Sequence, residues 1–447
     1  MKRIILSILI LLPAFLWAQE TLNVLQNLHQ VKKGETVESV AELYGITEQQ
    51  LRLANPDIKK NKLKKGKFII IPPKEEPAFI DIETPVVQEP EPVDPRIETI
   101  RMAVLLPLEE NSDKGKKMIE FYQGMLMAVD SIKKEGTNVE VFAYHSGKGE
   151  EEIRAVLQKE EMSTMNVIFG PADQAQIPAL TEYCADRSIR LVLPFSAPSV
   201  NLVGRPLIYQ ATANSGLLQT EMADVMAANS ENRNFIILST SNPDERGRNA
   251  INALRNSLND KGITIQQMPL DGDDFAYESA LNQFHENVII PDNTSIKTLN
   301  VFFAKMKTFV DEHPQYKISM LGYPEWQTYT KSLLPQFYAF NTYIYTAYYR
   351  NPLLDRTSIF ERTFMNNFHR PMQATFPRFG MMGFDLAYYF LHALGAYGNA
   401  MEGHLAELMY QPFQHPFQFR QDAEGDGFVN HAVMFVHYTT DQTIEIK

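Results

Sequence analysis

Residues that carry covalent chemistry are scarce in this chain of 447 amino acids. There is one cysteine, Cys184, so no disulfide can form within the chain. An oxidising compartment permits disulfides without requiring them, and a chain of this length buries large cores without staples. Cys184 falls in an apolar helical pattern and reads as a buried, inert thiol rather than a nucleophile. Tryptophan occurs twice, at Trp17 and Trp326. The G-x-S-x-G elbow, the Walker loop and H-E-x-x-H are all missing, which removes the signatures of serine hydrolases, P-loop NTPases and zincins. His431 and His437 suit structural or surface roles better than a metal site, and no motif asks for a cofactor. Carboxylates are plentiful, but spacing alone does not pick out a glycosidase pair. Beyond the first residues, no run approaches the ~18–20 apolar residues of a membrane-spanning helix.

The first residues set the compartment. Met1-Lys2-Arg3 is positive, Ile4 to Trp17 is apolar but too short to span a bilayer, and Ala18-Gln19 offers a cleavage point. Residues 1–18 therefore read as a secretory signal peptide, and the mature chain is expected in the periplasm, associated with the cell wall. No cysteine follows the apolar stretch, so a lipoprotein anchor is not expected.

The stretch 29–72 is the most telling. His29 to Lys32 is a short strand candidate, which Gly34-Glu35-Thr36 breaks before a helix opens. Val37, Val40, Ala41 and Tyr44 form one apolar helical stripe. Gly45 stands where a helix end favours a left-handed residue. Thr47 and Gln50 have the spacing of a capping box for a second helix, which Asn55-Pro56 stops. Gly66 to Ile71 is β-rich and closed by Pro72. The order is strand, helix, helix, strand.

That order, the run Val31-Lys32-Lys33-Gly34-Glu35-Thr36, Asn55, and the closing Gly66 to Pro72 together resemble a LysM domain. Glu35 replaces the family's aspartate. The resemblance implies binding of glycan containing N-acetylglucosamine, peptidoglycan above all. It places the sugar between two loops, carried here by Gly34, Glu35 and Thr36 and by Asn55, Pro56, Asp57 and Ile58.

Charge divides unevenly. Residues 29–72 hold nine Lys or Arg against five acids, a net of +4, whereas 74–98 hold two against eight, within an overall charge of −12. A basic first module would approach an anionic wall polymer readily, and nothing in the pattern suggests nucleic acid. The Pro- and Glu-rich stretch 73–98 reads as an extended, semi-rigid linker.

From 99 to 447 strand and helix patterns alternate. Strands are expected at Ile100 to Pro107, Val139 to Tyr144, Asn166 to Phe169 and Ile189 to Leu193, with a further set from Asn234 to Met268. Repeated strand–helix units predict doubly wound α/β sheets, here in two lobes around a cleft. The run Arg101 to Leu108, the stretch Tyr122 to Asp130, Val167 to Pro171, Ile189 to Ser199, Asp244 to Gly247 and the closing Phe417 to Asn430 follow in an order that resembles the type I periplasmic binding protein fold of leucine and amino-acid receptors. The resemblance points to cleft contacts at Pro107, Gly170, Pro171, Asp173, Gln174, Ser196, Ala197, Ser199, Tyr323 and Trp326. The chain departs from amino-acid receptors at two places. The turn after Gly170 lacks the hydroxyl that would hold a ligand carboxylate and adds the charge of Asp173. At Ala197-Pro198-Ser199, Pro198 offers no N–H. An α-amino-acid ligand held in the usual way is therefore not expected. Certain outer-membrane activators of peptidoglycan synthases share this architecture and touch a partner protein with it, an analogy of fold and setting.

Two readings follow. One is a non-catalytic, wall-bound protein whose body meets an envelope protein or a wall-derived ligand. The alternative is a solute receptor of an ABC transporter. A peptidoglycan hydrolase ranks behind both.

Overall fold

The computed structural model describes residues 27–55, 58, 61–72, 97–195, 200–408 and 410–447. The expected signal peptide and all but the last two residues of the expected linker lie outside them.

The first module runs β1 (Asn27–Gln30), α1 (Val37–Tyr44), α2 (Glu48–Ala54) and β2 (Phe68–Ile71). β1 and β2 pair antiparallel, with Asn27 opposite Ile71 and Gln30 opposite Phe68. β1 starts two residues before the expected strand and ends at Gln30. Val31 nevertheless stays tied to the second arm, its N–H donating to the Lys67 carbonyl at 2.8 Å. Thr47 and Gln50 form the expected capping box, and Thr36 with Ser39 forms one at α1. Gly45 ends α1 in the left-handed region at φ 64°. Val37, Val40 and Ala41 are buried with Leu51, Ile58, Leu63, Ile69 and Ile71, so the apolar stripe is the core.

The body opens with β3 (Thr99–Leu106), α3 (Asp113–Lys134), β4 (Asn138–His145), α4 (Glu150–Leu157), β5 (Val167–Phe169), α5 (Ile177–Ala185), β6 (Arg190–Leu193) and β7 (Ile208–Gln210). The chain then crosses to a second lobe built from α6 (Ser215–Ala228), β8 (Arg233–Ser239), α7 (Glu245–Asn259), β9 (Gln266–Pro269), α8 (Asp274–Ala280), β10 (Glu286–Pro291), α9 (Ile296–Glu312), β11 (Lys317–Gly322), α10 (Thr330–Ala339) and β12 (Thr342–Thr346). It returns through α11 (Asp355–Phe368) and α12 (Phe379–Tyr397) to the hairpin β13 (Phe419–Gln421) and β14 (Phe428–Asn430). It then crosses a third time to β15 (Met434–Tyr438) and β16 (Ile444–Ile446). Each lobe holds a seven-stranded sheet, ordered β13-β14-β7-β6-β5-β3-β4 and β16-β15-β12-β11-β10-β8-β9.

The inner strands are parallel and nearly continuous in apolar residues because helices cover both faces. Met118, Phe121, Met125 and Val129 put one face of α3 on the first sheet. α12 lies against α3 so closely that a Cβ on Gly124 would sit 1.8 Å from the Gly380 carbonyl, and one on Gly383 would sit 2.0 Å from that of Phe121. The glycines of the aromatic-rich 379–390 stretch are thus a helix-packing device. Tyr343 and Tyr345 of β12 are buried in the second lobe's core.

Candidate functional site

The two loops of the first module lie side by side. Thr36 bridges Lys62, the Val37 N–H donates to the Asn61 carbonyl at 3.0 Å, and the Leu63 N–H to the Glu35 carbonyl at 3.4 Å. Gly34 turns the first loop at φ 96°, where a side chain would be strained. Thr36 caps α1, its Oγ1 accepting the Ser39 N–H at 3.1 Å. Asn55 is buried and donates Nδ2 to the Leu51 carbonyl at 2.8 Å. Ile58 is in the core. Pro56 and Asp57 lie outside the described residues. The structure therefore brings Gly34, Glu35, Thr36, Asn55 and Ile58 to adjoining loops, but several of their side chains serve the module's own frame.

Glu35 is the clearest case. Its Oε2 accepts the Lys32 N–H at 2.7 Å and the His29 Nε2–H at 2.7 Å, while His29 Nδ1 meets the Tyr44 hydroxyl at 3.0 Å. Desolvation pushes the Glu35 carboxyl up, but the His29 and Lys32 contacts outweigh it and leave the group below its ordinary range. His29 and Tyr44 were not among the expected site residues. The replacement of aspartate by the longer glutamate was the one signal for them, since the extra methylene lets the carboxylate reach back to His29. Lys32, Lys33, Lys62, Lys64 and Lys65 are exposed beside these loops.

In α/β sheets a ligand meets the carboxyl ends of the strands. In the first lobe, buried Pro107 follows β3, while Gly170 and Pro171 follow β5. At Gly170 a Cβ would lie 2.2 Å from the Leu105 carbonyl, so the two strand ends approach closely. Asp173 caps the next turn, its Oδ1 accepting the Ala175 N–H at 3.1 Å, with Lys114 Nζ 4.0 Å from its other oxygen. Gln174 is exposed beside it. Gln176, absent from the expected residues, is fully buried and joins two loops by donating Nε2 to the carbonyls of Ser146 (2.5 Å) and Gly149 (3.1 Å). Phe195 wedges against Phe121 and Phe379. Ser196, Ala197 and Ser199, with Pro198, lie outside the described residues.

The second lobe corrects the sequence reading. Tyr323 and Trp326 are fully buried and present no atom to a ligand. Trp326 lies in a 3-10 turn, stacks on Phe337 at 6.0 Å and 5°, and donates Nε1–H to the Thr294 carbonyl at 2.9 Å. The Tyr323 hydroxyl donates to the Pro291 carbonyl at 2.5 Å. Gly322 makes room for the indole, since a Cβ there would meet the ring at 2.2 Å. Polar groups at this end are Arg246 with Glu325 at 2.5 Å, Asp244 capping α7 through the Gly247 N–H at 2.7 Å, and Asp292 accepting the Thr240 N–H and hydroxyl. At this end of the second lobe the named charges are one cation against three carboxylates.

Other reactive groups lie elsewhere. Cys184 is fully buried in α5, which pushes its thiol well up. His437 stacks on Tyr343 at 3.8 Å between Asn341 and Glu445, and burial with Lys447 nearby lowers it to about 4. Asp274, Glu312 and His313 bring donor atoms within 4.8 Å of one another on the second lobe. The carboxylates are exposed and His313 Nδ1 already lies 3.4 Å from Glu278, so no metal centre is assigned.

Residues 29–72 are a LysM domain. The body has the type I periplasmic-binding-protein fold. A Rhodospirillum rubrum protein assigned to a branched-chain amino acid ABC transporter matches it at 12% identity and a TM-score of 0.55, covering 78% of this chain and 100% of that one. A Desulfitobacterium hafniense ABC transporter substrate-binding protein in complex with Leu (15%, TM-score 0.42) covers 78% of this chain and 100% of its own. The Streptococcus pneumoniae branched-chain amino acid transporter substrate-binding protein LivJ in complex with isoleucine (13%, 0.40) covers 78% and 99%. At these identities the likeness is one of fold, and it rests on the first of the three. No curated protein matches the chain. LysM domains are binding modules, and no helix among the described residues is long and apolar enough to cross a membrane.

Proposed function

We propose that this is an exported, non-catalytic envelope protein that grips peptidoglycan glycan between its two N-terminal loops and offers its two-lobed body to a partner protein or a wall-derived ligand. The observation that carries the reading is the LysM domain at 29–72 with its loops zipped together by backbone hydrogen bonds. A free α-amino acid is disfavoured in the body because Asp173 places the chain's own carboxylate on the turn where a ligand anion would sit. Its removal of that place is intramolecular and always present, so a free carboxylate competes at a disadvantage.

The test is sedimentation with insoluble peptidoglycan, using the intact chain and Thr36→Ala plus Asn55→Ala, with melting curves to separate lost binding from lost folding. Co-sedimentation of wild type and its loss in a folded double variant support the reading; failure of wild type to sediment overturns it. The second reading, a solute receptor of an ABC transporter, is favoured by the fold shared with the R. rubrum protein. Calorimetric titration with amino acids, muropeptides and sugars separates the two. Buried Trp326 is a poor direct reporter of ligand contact.

A further inference from the structure

Three segments carry the chain between the lobes, namely Ala211 to Asn214, Ala347 to Leu354 and His431 to Val433. Two of them are pinned to each other by a neutral, saturated amide. Asn430 Nδ2 donates to the carbonyls of Ala211 (3.0 Å) and Pro416 (3.1 Å), and its Oδ1 accepts the N–H groups of Gln418 (2.8 Å) and Ala432 (3.1 Å). Every polar valence of that side chain is used, so it fixes the crossing point and leaves nothing to adjust.

Beside it sits a charged arrangement of another kind. Glu221 lies on α6, the first helix of the second lobe. His431, in the third crossing, donates Nδ1–H to Glu221 Oε1 at 2.6 Å. Arg420, on β13 at the edge of the first lobe's sheet, places Nη1 3.8 Å from Glu221 Oε2. Among the described residues this is the only ion pair running directly from one lobe to the other. Lys67 of the first module pairs with Asp355 of α11 at 3.1 Å, Arg350 of the second crossing pairs with Glu361 of α11, and, His431 aside, the others stay within one lobe or the first module. The Glu221 and His431 side chains are 15% and 13% exposed, so water screens them little, whereas Arg420 is half exposed and its contact is long.

We propose that Glu221 is a positioning residue that sets the angle between the lobes. The short bond to His431 holds α6 against the third crossing segment, and the longer one to Arg420 restrains the first lobe relative to the second. A carboxylate shared between a hinge imidazole and an opposite-lobe guanidinium resists relative rotation because turning either lobe lengthens a charge-assisted bond. The inference rests on the fold and these distances and is independent of what the cleft holds.

The test uses the full chain with spin labels at Lys148→Cys and Asp271→Cys, exposed positions just past the carboxyl ends of edge strands β4 and β9, with buried Cys184 left in place. Pulsed dipolar spectroscopy then reads the interlobe distance. Glu221→Gln should broaden the distribution or add a longer population. Arg420→Gln should move it the same way by less, and the double variant should go no further than Glu221→Gln alone. A Glu221→Gln distribution that superimposes on wild type overturns the proposal, even if melting falls, since a purely structural role would change stability without changing the angle. Additive shifts from the two single variants overturn it as well. Should Glu221→Gln not fold, Arg420→Gln decides alone, because it leaves the His431 bond intact; an unchanged distribution there counts against the proposal.

Discussion

Removing the carboxylate of Glu402 should be far more damaging than removing the whole pair it belongs to. Arg190, 3% exposed at the start of β6, donates Nε to Glu402 Oε1 at 2.7 Å and Nη2 to Oε2 at 2.9 Å. It also reaches the Asn399 carbonyl at 3.0 Å. The Tyr209 hydroxyl donates to Glu402 Oε1 at 2.6 Å, and burial with Glu402 beside it pushes that phenol well up. The pair ties β6 and β7 to the segment after α12. Glu402→Gln keeps the shape but leaves a guanidinium buried without its counter-charge, at a cost of about 3–5 kcal/mol. Arg190→Met leaves a carboxylate that is 22% exposed and can draw on water, so about 2–3 kcal/mol is expected. Arg190→Met with Glu402→Leu swaps the pair for packed apolar groups and should fall within about 2 kcal/mol of wild type. Urea unfolding followed by circular dichroism measures the whole body, while the fluorescence of Trp326, the body's only tryptophan, follows the second lobe. The loss should appear mainly in the former. A Glu402→Gln cost below about 1 kcal/mol, in the range of an exposed pair, or a double variant as damaged as the sum of the singles, would refute this account.

Other outcomes follow from the same geometry. Gly124→Ala should destabilise the body by ~1–3 kcal/mol through overpacking against the Gly380 carbonyl and so lower its melting temperature; an unchanged melt would mean α3 and α12 separate freely. Trp326→Phe should destabilise the second lobe by about 1–3 kcal/mol through the unpaired Thr294 carbonyl, with peptidoglycan sedimentation unaffected. Burial raises Asp385 to about 6 against donors from Tyr410, Phe413, Gln414 and His415. The folded chain then holds that proton more tightly than the unfolded one, so this group's contribution is greatest at low pH and falls as pH rises from the ordinary carboxylate value through about 6. The difference between wild-type and Asp385→Asn urea midpoints across that window should show the slope, and a flat difference would contradict it. Glu35→Gln should weaken glycan binding by loosening the first loop, seen as less co-sedimentation in a protein that still melts cooperatively.

Much of the architecture was written locally. The stripe Val37, Val40, Ala41, the left-handed Gly45 and the Thr47–Gln50 box each act within a few residues, so periodicity and capping rules reach them. The alternation of apolar strands and amphipathic helices likewise announced two α/β sheets, because a parallel strand must be apolar on both faces to be covered by helices. Site residues were less legible. Glu35 and Thr36 were expected at the glycan loop, but that their polar atoms are taken up by His29, Lys32 and Ser39 depends on which groups the fold brings beside them. Tyr323 and Trp326 sit at a strand end that could face either way, and only the packing of Phe337 and the absence of a Cβ at Gly322 turn the indole inward. The contacts that join distant parts, Arg190 with Glu402 and His431 with Glu221, span 212 and 210 positions. Sequence by itself determined which segments form helices and strands, since those follow from short-range periodicity and end signals. Which charges meet and which aromatics are sealed away was decided by tertiary structure, because burial and pairing depend on neighbours that no local pattern encodes.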